Sequence, residues 1–159
     1  MLRSIVALNA VLENLLQIAC GLLGIEITLL MFAQVLIRYF GDEPLSWSEE
    51  VIRYSFMWCA FLGAALAQRY RWHVALEVLE VYPQALRGPL KALTSIILIA
   101  FLGIIGFSGL KFALLSWGVA SVALQWPMAY AYGCVPVAAF AMVCFAIEDA
   151  FLQRPAQPL

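Results

Sequence analysis

Residues 46–73 read SWSEEVIRYSFMWCAFLGAALAQRYRWH, a charged and aromatic cluster that runs into an apolar helix and ends at two arginines. Crossing a hydrocarbon layer requires little more than a long apolar run and interfacial anchors. Val51 to Ala67 supplies the run, and Trp47, Tyr54, Trp58, Tyr70 and Trp72 are anchor residues at one end or the other. Charge is costly in such a place. Glu49, Glu50 and Arg53 at the mouth of the run therefore call for a partner or a task.

The rest of the chain has the same solvent. Of its 159 residues, 65% are hydrophobic and only 12% charged, with a mean hydropathy of +0.93. A soluble domain of this size needs a polar exterior. Here the apolar residues fall in unbroken runs at 15–37, 51–67, 90–115 and 129–151. At about 1.5 Å per residue each is a candidate to cross about 30 Å of hydrocarbon. None shows the period-two alternation of a barrel strand, so the expected fold is an all-α integral membrane protein. Four transmembrane helices form a single membrane domain over residues 1–159. Arg69, Arg71 and Arg87 lie between the second and third runs and Lys91 at the very start of the third, whereas residues 116–129 contain no lysine or arginine. The basic loop is expected to face the cytoplasm, and with it both termini. Arg38 and Arg53 flank the opposite loop, where Asp42, Glu43, Glu49 and Glu50 offset them and both can snorkel.

Asn9, Glu13 and Asn14 interrupt the early apolar stretch, so the N-terminus reads as part of the first helix rather than as a cleavable signal. Cys20, Cys59, Cys134 and Cys144 all fall within spans, with no CxxC and no Cys/His spacing. They read as small apolar residues, and neither a disulfide nor a metal or cofactor is expected. Between the second and third spans, His73, Glu77, Glu80 and Gln84 recur at intervals of four, three and four among apolar neighbours, and Pro83 interrupts the pattern. That narrow polar stripe predicts a short amphipathic interfacial helix over about 72–82.

Ser46 and Glu49 have capping-box spacing, and both glutamates occupy the first turn, where the positive helix end favours them. Arg53 follows Glu49 by four residues and Glu50 by three, so either carboxylate is expected to pair with it along one face. A capped helix start and a docking site for another subunit are both open, and they are compatible. Glu26 is the carboxylate nearest the middle of a span. It is expected to bond a neighbour such as Thr28 or a partner chain, a structural contact being preferred over a proton-coupled site. Ala60, Gly63, Ala64 and Ala67, with Gly103, Gly106 and Gly109 on the third span, offer close-approach surfaces for internal packing or assembly. Trp117, Trp126 and Pro127 read as an aromatic belt with a turn, and less strongly as a contact for a partner outside the membrane.

Gln34, Arg38 and Tyr39, then Trp47, Glu49, Glu50 and Arg53, then Trp58, Phe61, Leu62, Gly63, Ala64 and Ala65, and finally Arg69 and His73 follow one another in a telling order. Together they resemble the small membrane subunit of TRAP transporters, the DctQ-like family. Ser121, Ala123, Leu124, Pro127, Tyr130 and Pro136 are similar to that family's entry into its last helix. The resemblance implies a four-span, non-catalytic subunit that supports a large multi-span permease subunit, with a periplasmic substrate-binding protein as third part. It implies sodium-coupled uptake of an organic acid, with sodium and substrate held by the large subunit rather than by this chain. The expected location is the bacterial or archaeal cytoplasmic (inner) membrane. The expected partners are those two proteins and the lipid bilayer, with no nucleic acid. Glu26, Arg38, Trp47, Glu49, Glu50, Arg53, Trp58, Gly63, Arg69 and His73 become candidate interface or structural residues, and no enzymatic activity is expected. One rival is a stand-alone small multidrug-type proton-coupled exporter built on Glu26, but it leaves the 46–53 cluster and the polar stripe unexplained. A quinone-linked disulfide-forming enzyme would need cysteine pairs in periplasmic loops, and this chain has none there.

Overall fold

The structure is a computed structural model and describes residues 2–40, 46–70 and 84–152. Its helices are α1 (Leu2–Phe40), α2 (Ser46–Arg69), α3 (Gln84–Leu115), α4 (Ala129–Tyr132) and α5 (Cys134–Leu152), with a 3-10 turn at Ser116–Gly118 after α3. Gly133 keeps helical dihedrals of φ −60° and ψ −19°, so α4 feeds directly into α5 and the two make one span. The four long apolar helices are those able to cross a membrane. The interfacial helix expected over about 72–82, with His73, lies outside the described residues, as do Asp42 and Glu43.

The helices reach further than the apolar runs alone. α1 has 39 residues and no internal proline to stop it, and it extends well before position 15. α3 carries Pro89 in its second turn, close enough to the helix start to limit the loss of backbone bonding. α2 continues through Arg69, whose charge suits the negative C-terminal end of the helix.

The order of packing is α1 on α2, α2 on α5 and α5 on α3, with a smaller contact between α1 and α5. Among the described residues α1 and α3 make no contact, so their spans form a row rather than a closed square. Leu16 from α1, Leu62 and Ala65 from α2, and Ala141 and Phe145 from α5 make the buried cluster where three helices meet. α3 is held differently, by close approach to α5. A Cβ on Gly106 would lie 3.2 Å from the Ala139 Cβ, and one on Gly109 only 2.7 Å from the Val135 Cγ1. The Phe112 ring meets Tyr132 edge-on at 4.7 Å, closing the same seam. Outward faces are apolar, with Phe107 on α3 73% exposed, as expected where lipid is the solvent.

Candidate functional site

Polar side chains gather at the two ends of α2, and each end solves a different electrostatic problem. At the last turn, the Arg69 Nε donates to Glu13 Oε2 at 3.0 Å and Nη1 to Glu148 Oε2 at 2.9 Å. The Arg69 side chain is 9% exposed and that of Glu148 is fully enclosed. Asn9 Nδ2 donates to the same Glu148 oxygen at 2.6 Å and to the Cys144 carbonyl at 3.1 Å. Tyr70 Oη donates to the other Glu13 oxygen at 2.8 Å, and the Gln17 amide donates to that phenol. The hydrogen bond to the Glu13 carboxylate raises the Tyr70 phenol above its ordinary pKa. The guanidinium carbon also lies 5.3 Å from the centre of the Phe145 ring. One cation thus joins α1, α2 and α5 through two carboxylates in a setting of low dielectric, where charge must be matched.

Just past the first turn of α2, the buried Glu50 turns away from Arg53. Its Oε2 accepts the backbone N–H groups of Ala123 and Leu124, both at 2.9 Å, and its Oε1 accepts the Tyr54 hydroxyl. The receiving loop is a small hairpin. Ala120 and Pro127 form an antiparallel bridge, Ser121 N donates to the Trp126 carbonyl at 2.8 Å, and Met128 N to that of Val119 at 2.9 Å. Gln125 turns the chain with φ +56°, a left-handed conformation that few non-glycine residues adopt. Two successive amides aimed at one carboxylate form an anion nest. Nearby, Gln34 Nε2 donates to Ser48 Oγ at 2.7 Å and ties α1 to this end.

The candidate residues separate accordingly. Glu50 and Arg69 anchor the two ends, and Trp58 donates its indole N–H to the Tyr130 carbonyl at 2.9 Å, joining α2 to α4. The expected pairing of Arg53 with Glu49 or Glu50 does not form, because the loop amides and Tyr54 claim Glu50 while Glu49 and Arg53 are exposed. Arg38, in the last turn of α1, and Trp47 are exposed as well. Glu26 bonds neither Thr28 nor its own helix: the Ser55 hydroxyl on α2 lies 2.8 and 3.0 Å from its two oxygens, while Thr28 donates to the Gly24 carbonyl at 2.8 Å. Gly63 and Gly103 have open space where a Cβ would stand, so neither mediates a close approach within the chain. Glu13, Asn9 and Glu148 did not figure among the candidates. A signal for them exists: four spans in alternating directions put the start of the first, the end of the second and the end of the fourth on one side of the membrane.

The sequence pattern of the family described as "Tripartite ATP-independent periplasmic transporters, DctQ component" matches residues 27–155, most of the chain and both anchored ends of α2. The chain belongs to this family. It is also similar to a Haemophilus influenzae protein named as a TRAP transporter small permease protein, with 38% identity over 68 residues that cover 43% of this chain and 42% of that protein. A Vibrio cholerae protein named "C4-dicarboxylate TRAP transporter small permease protein DctQ" is 33% identical over 61 residues, 38% of this chain and 26% of that protein. The matched segments thus span less than half the length of either relative. A DctQ-family chain with four helices long and apolar enough to cross a membrane is a multi-pass membrane protein.

Proposed function

We propose that this chain is the small, non-catalytic membrane subunit of a TRAP transporter that takes up an organic acid by sodium symport. The observation that carries this reading is the family match over residues 27–155. In this reading the large permease subunit binds substrate and sodium, a periplasmic substrate-binding protein delivers the solute, and this chain braces the large subunit. The architecture supports a bracing role. Several of its polar groups tie helices to one another, as Arg69 does with Glu13 and Glu148 and Ser55 with Glu26. The proposed setting is the cytoplasmic membrane, with the Arg69 end and both termini in the cytoplasm and the 116–128 hairpin in the periplasm, as the positive-inside bias directs.

Co-expression with a candidate large permease gene tests the proposal. A larger multi-span membrane protein is expected to co-purify with this chain in mild detergent. Proteoliposomes holding the pair and the binding protein are expected to accumulate an organic acid when a sodium gradient is imposed, and vesicles lacking this chain are not. Proton-driven export by the isolated chain, abolished by Glu26→Gln, would overturn the reading.

A further inference from the structure

Glu50 and Ala129 stand at the same height in the bundle. Arg69 and Glu148 meet at 2.9 Å, and Glu50 precedes Arg69 on α2 by 19 residues just as Ala129 precedes Glu148 on the fourth span. At 1.5 Å per residue, about 28 Å of helix separates each of them from that ion pair, close to the whole thickness of the hydrocarbon layer. These two marks fix how the 119–128 hairpin lies. Its tip amides, Ala123 and Leu124, donate to Glu50, while its second arm runs into Ala129, so tip and base are level. Standing upright, the extended arm from Ala120 to Ala123 would lift the tip about 10 Å above the base. The hairpin instead lies flat across the end of the bundle, where hydrocarbon gives way to headgroups.

Its chemistry suits that boundary. The backbone N–H groups of Ser121, Ala123, Leu124, Trp126 and Met128 all donate within the chain, and the Gln125 amide donates to the Val122 carbonyl at 3.0 Å. Backbone bonded in this way needs less water around it. From 112 to 147 the sequence has no Asp, Glu, Lys, Arg or His. Val122 at the tip is 91% exposed, and Trp117 and Trp126 beside it are 59% and 57% exposed. Indole rings, apolar with one polar edge, favour the headgroup level. A soluble partner would find no charge on the hairpin to set its register, and between encounters the patch would stand bare in water.

We propose that the 119–128 hairpin is a lipid-contacting element, seated in the headgroup–acyl boundary of the periplasmic leaflet through Trp117, Val122 and Trp126 and moored there by Glu50. Its partner is the phospholipid bilayer itself. The proposal goes beyond the transport reading and needs only the four spans.

Two measurements on the full chain test it. A photo-crosslinking residue at the exposed position 122, in membranes that also hold the large permease component, is expected to add one phospholipid to the mass of the chain. A crosslink to another protein, or no adduct, would overturn the lipid contact. In phosphatidylcholine vesicles, the emission of Trp126, taken as wild type minus Trp126→Phe, is expected to fall about two-fold or more when the lipid is brominated near the top of its acyl chains. Aqueous iodide should quench it far less than free tryptophan. Iodide quenching equal to that of free tryptophan would overturn the seating. In Glu50→Ala, iodide should gain on brominated lipid as the hairpin lifts, and an unchanged profile would overturn the mooring. Co-purification with the larger component tests the transport reading separately.

Discussion

Both ends of α2 hold a charge of the sign its dipole prefers, Glu50 at the start and Arg69 at the finish, but the two are neutralised by different means. Arg69 meets carboxylates from two other helices, so its ion pairs hold the bundle together. Glu50 meets the backbone amides of a loop, so its bonds shape a hairpin and leave the bundle to apolar packing. Removing one should loosen the whole fold; removing the other should loosen one connection.

The largest effect is expected from Arg69→Ala. It leaves Glu13 and the enclosed Glu148 facing each other without their cation, and removing one partner of a buried ion pair costs about 3–5 kcal/mol. The thermal midpoint of the purified chain in detergent should fall steeply. The combined variant Glu13→Gln, Arg69→Met, Glu148→Gln should recover much of the loss, because replacing every charged partner is far milder than orphaning one. An Arg69→Ala midpoint equal to wild type would break the contrast between the two ends.

The ion pairs at the Arg69 end reach α1, α2 and α5, while the seam between α3 and α5 rests on close packing. Gly109→Ala should therefore cost about 1–3 kcal/mol through overpacking against Val135. Gly63→Ala, with open space at its Cβ, should be neutral or raise the midpoint slightly, since alanine is the better helix former. Equal effects at the two glycines would show that the seam yields more readily than its geometry indicates.

Glu50→Ala should act locally. Amide hydrogen exchange at Ala123 and Leu124 is expected to rise by about an order of magnitude as their charge-assisted acceptor is lost. The global midpoint should change far less than in Arg69→Ala. A collapse of the midpoint with unchanged exchange in the loop would reverse the roles assigned to the two ends.

The four apolar helices were legible in the sequence because lipid demands long runs without charge, and no other part of the fold imposes so plain a pattern. Which helices would be neighbours was not legible. Arg69 finds Glu13 from 56 residues away and Glu148 from 79, and no local spacing encodes either meeting. The helical interval from Glu50 to Arg53 suggested an ion pair on one face, but a loop more than 70 residues distant offered Glu50 two amides. For Gly106, Gly109 and Gly63 the sequence pattern was alike, yet only the first two approach another helix, because an open row leaves some small-residue faces without a neighbour in the chain.

Between its charged ends α2 also makes a polar contact with α1 from the Ser55 hydroxyl to both oxygens of Glu26. If the ends do most of the fastening, this contact is secondary, since hydrogen bonds between membrane helices average only about 0.6 kcal/mol. Ser55→Ala should therefore shift the midpoint by a small amount, of about that size, and leave assembly with the larger component intact. Glu26→Gln keeps a side-chain oxygen that can accept the Ser55 hydroxyl, so it should be milder still and should not change sodium-driven uptake by the complete transporter. A loss of uptake in Glu26→Gln with assembly preserved would give Glu26 a part in coupling and move the centre of interest from the ends of α2 to its middle.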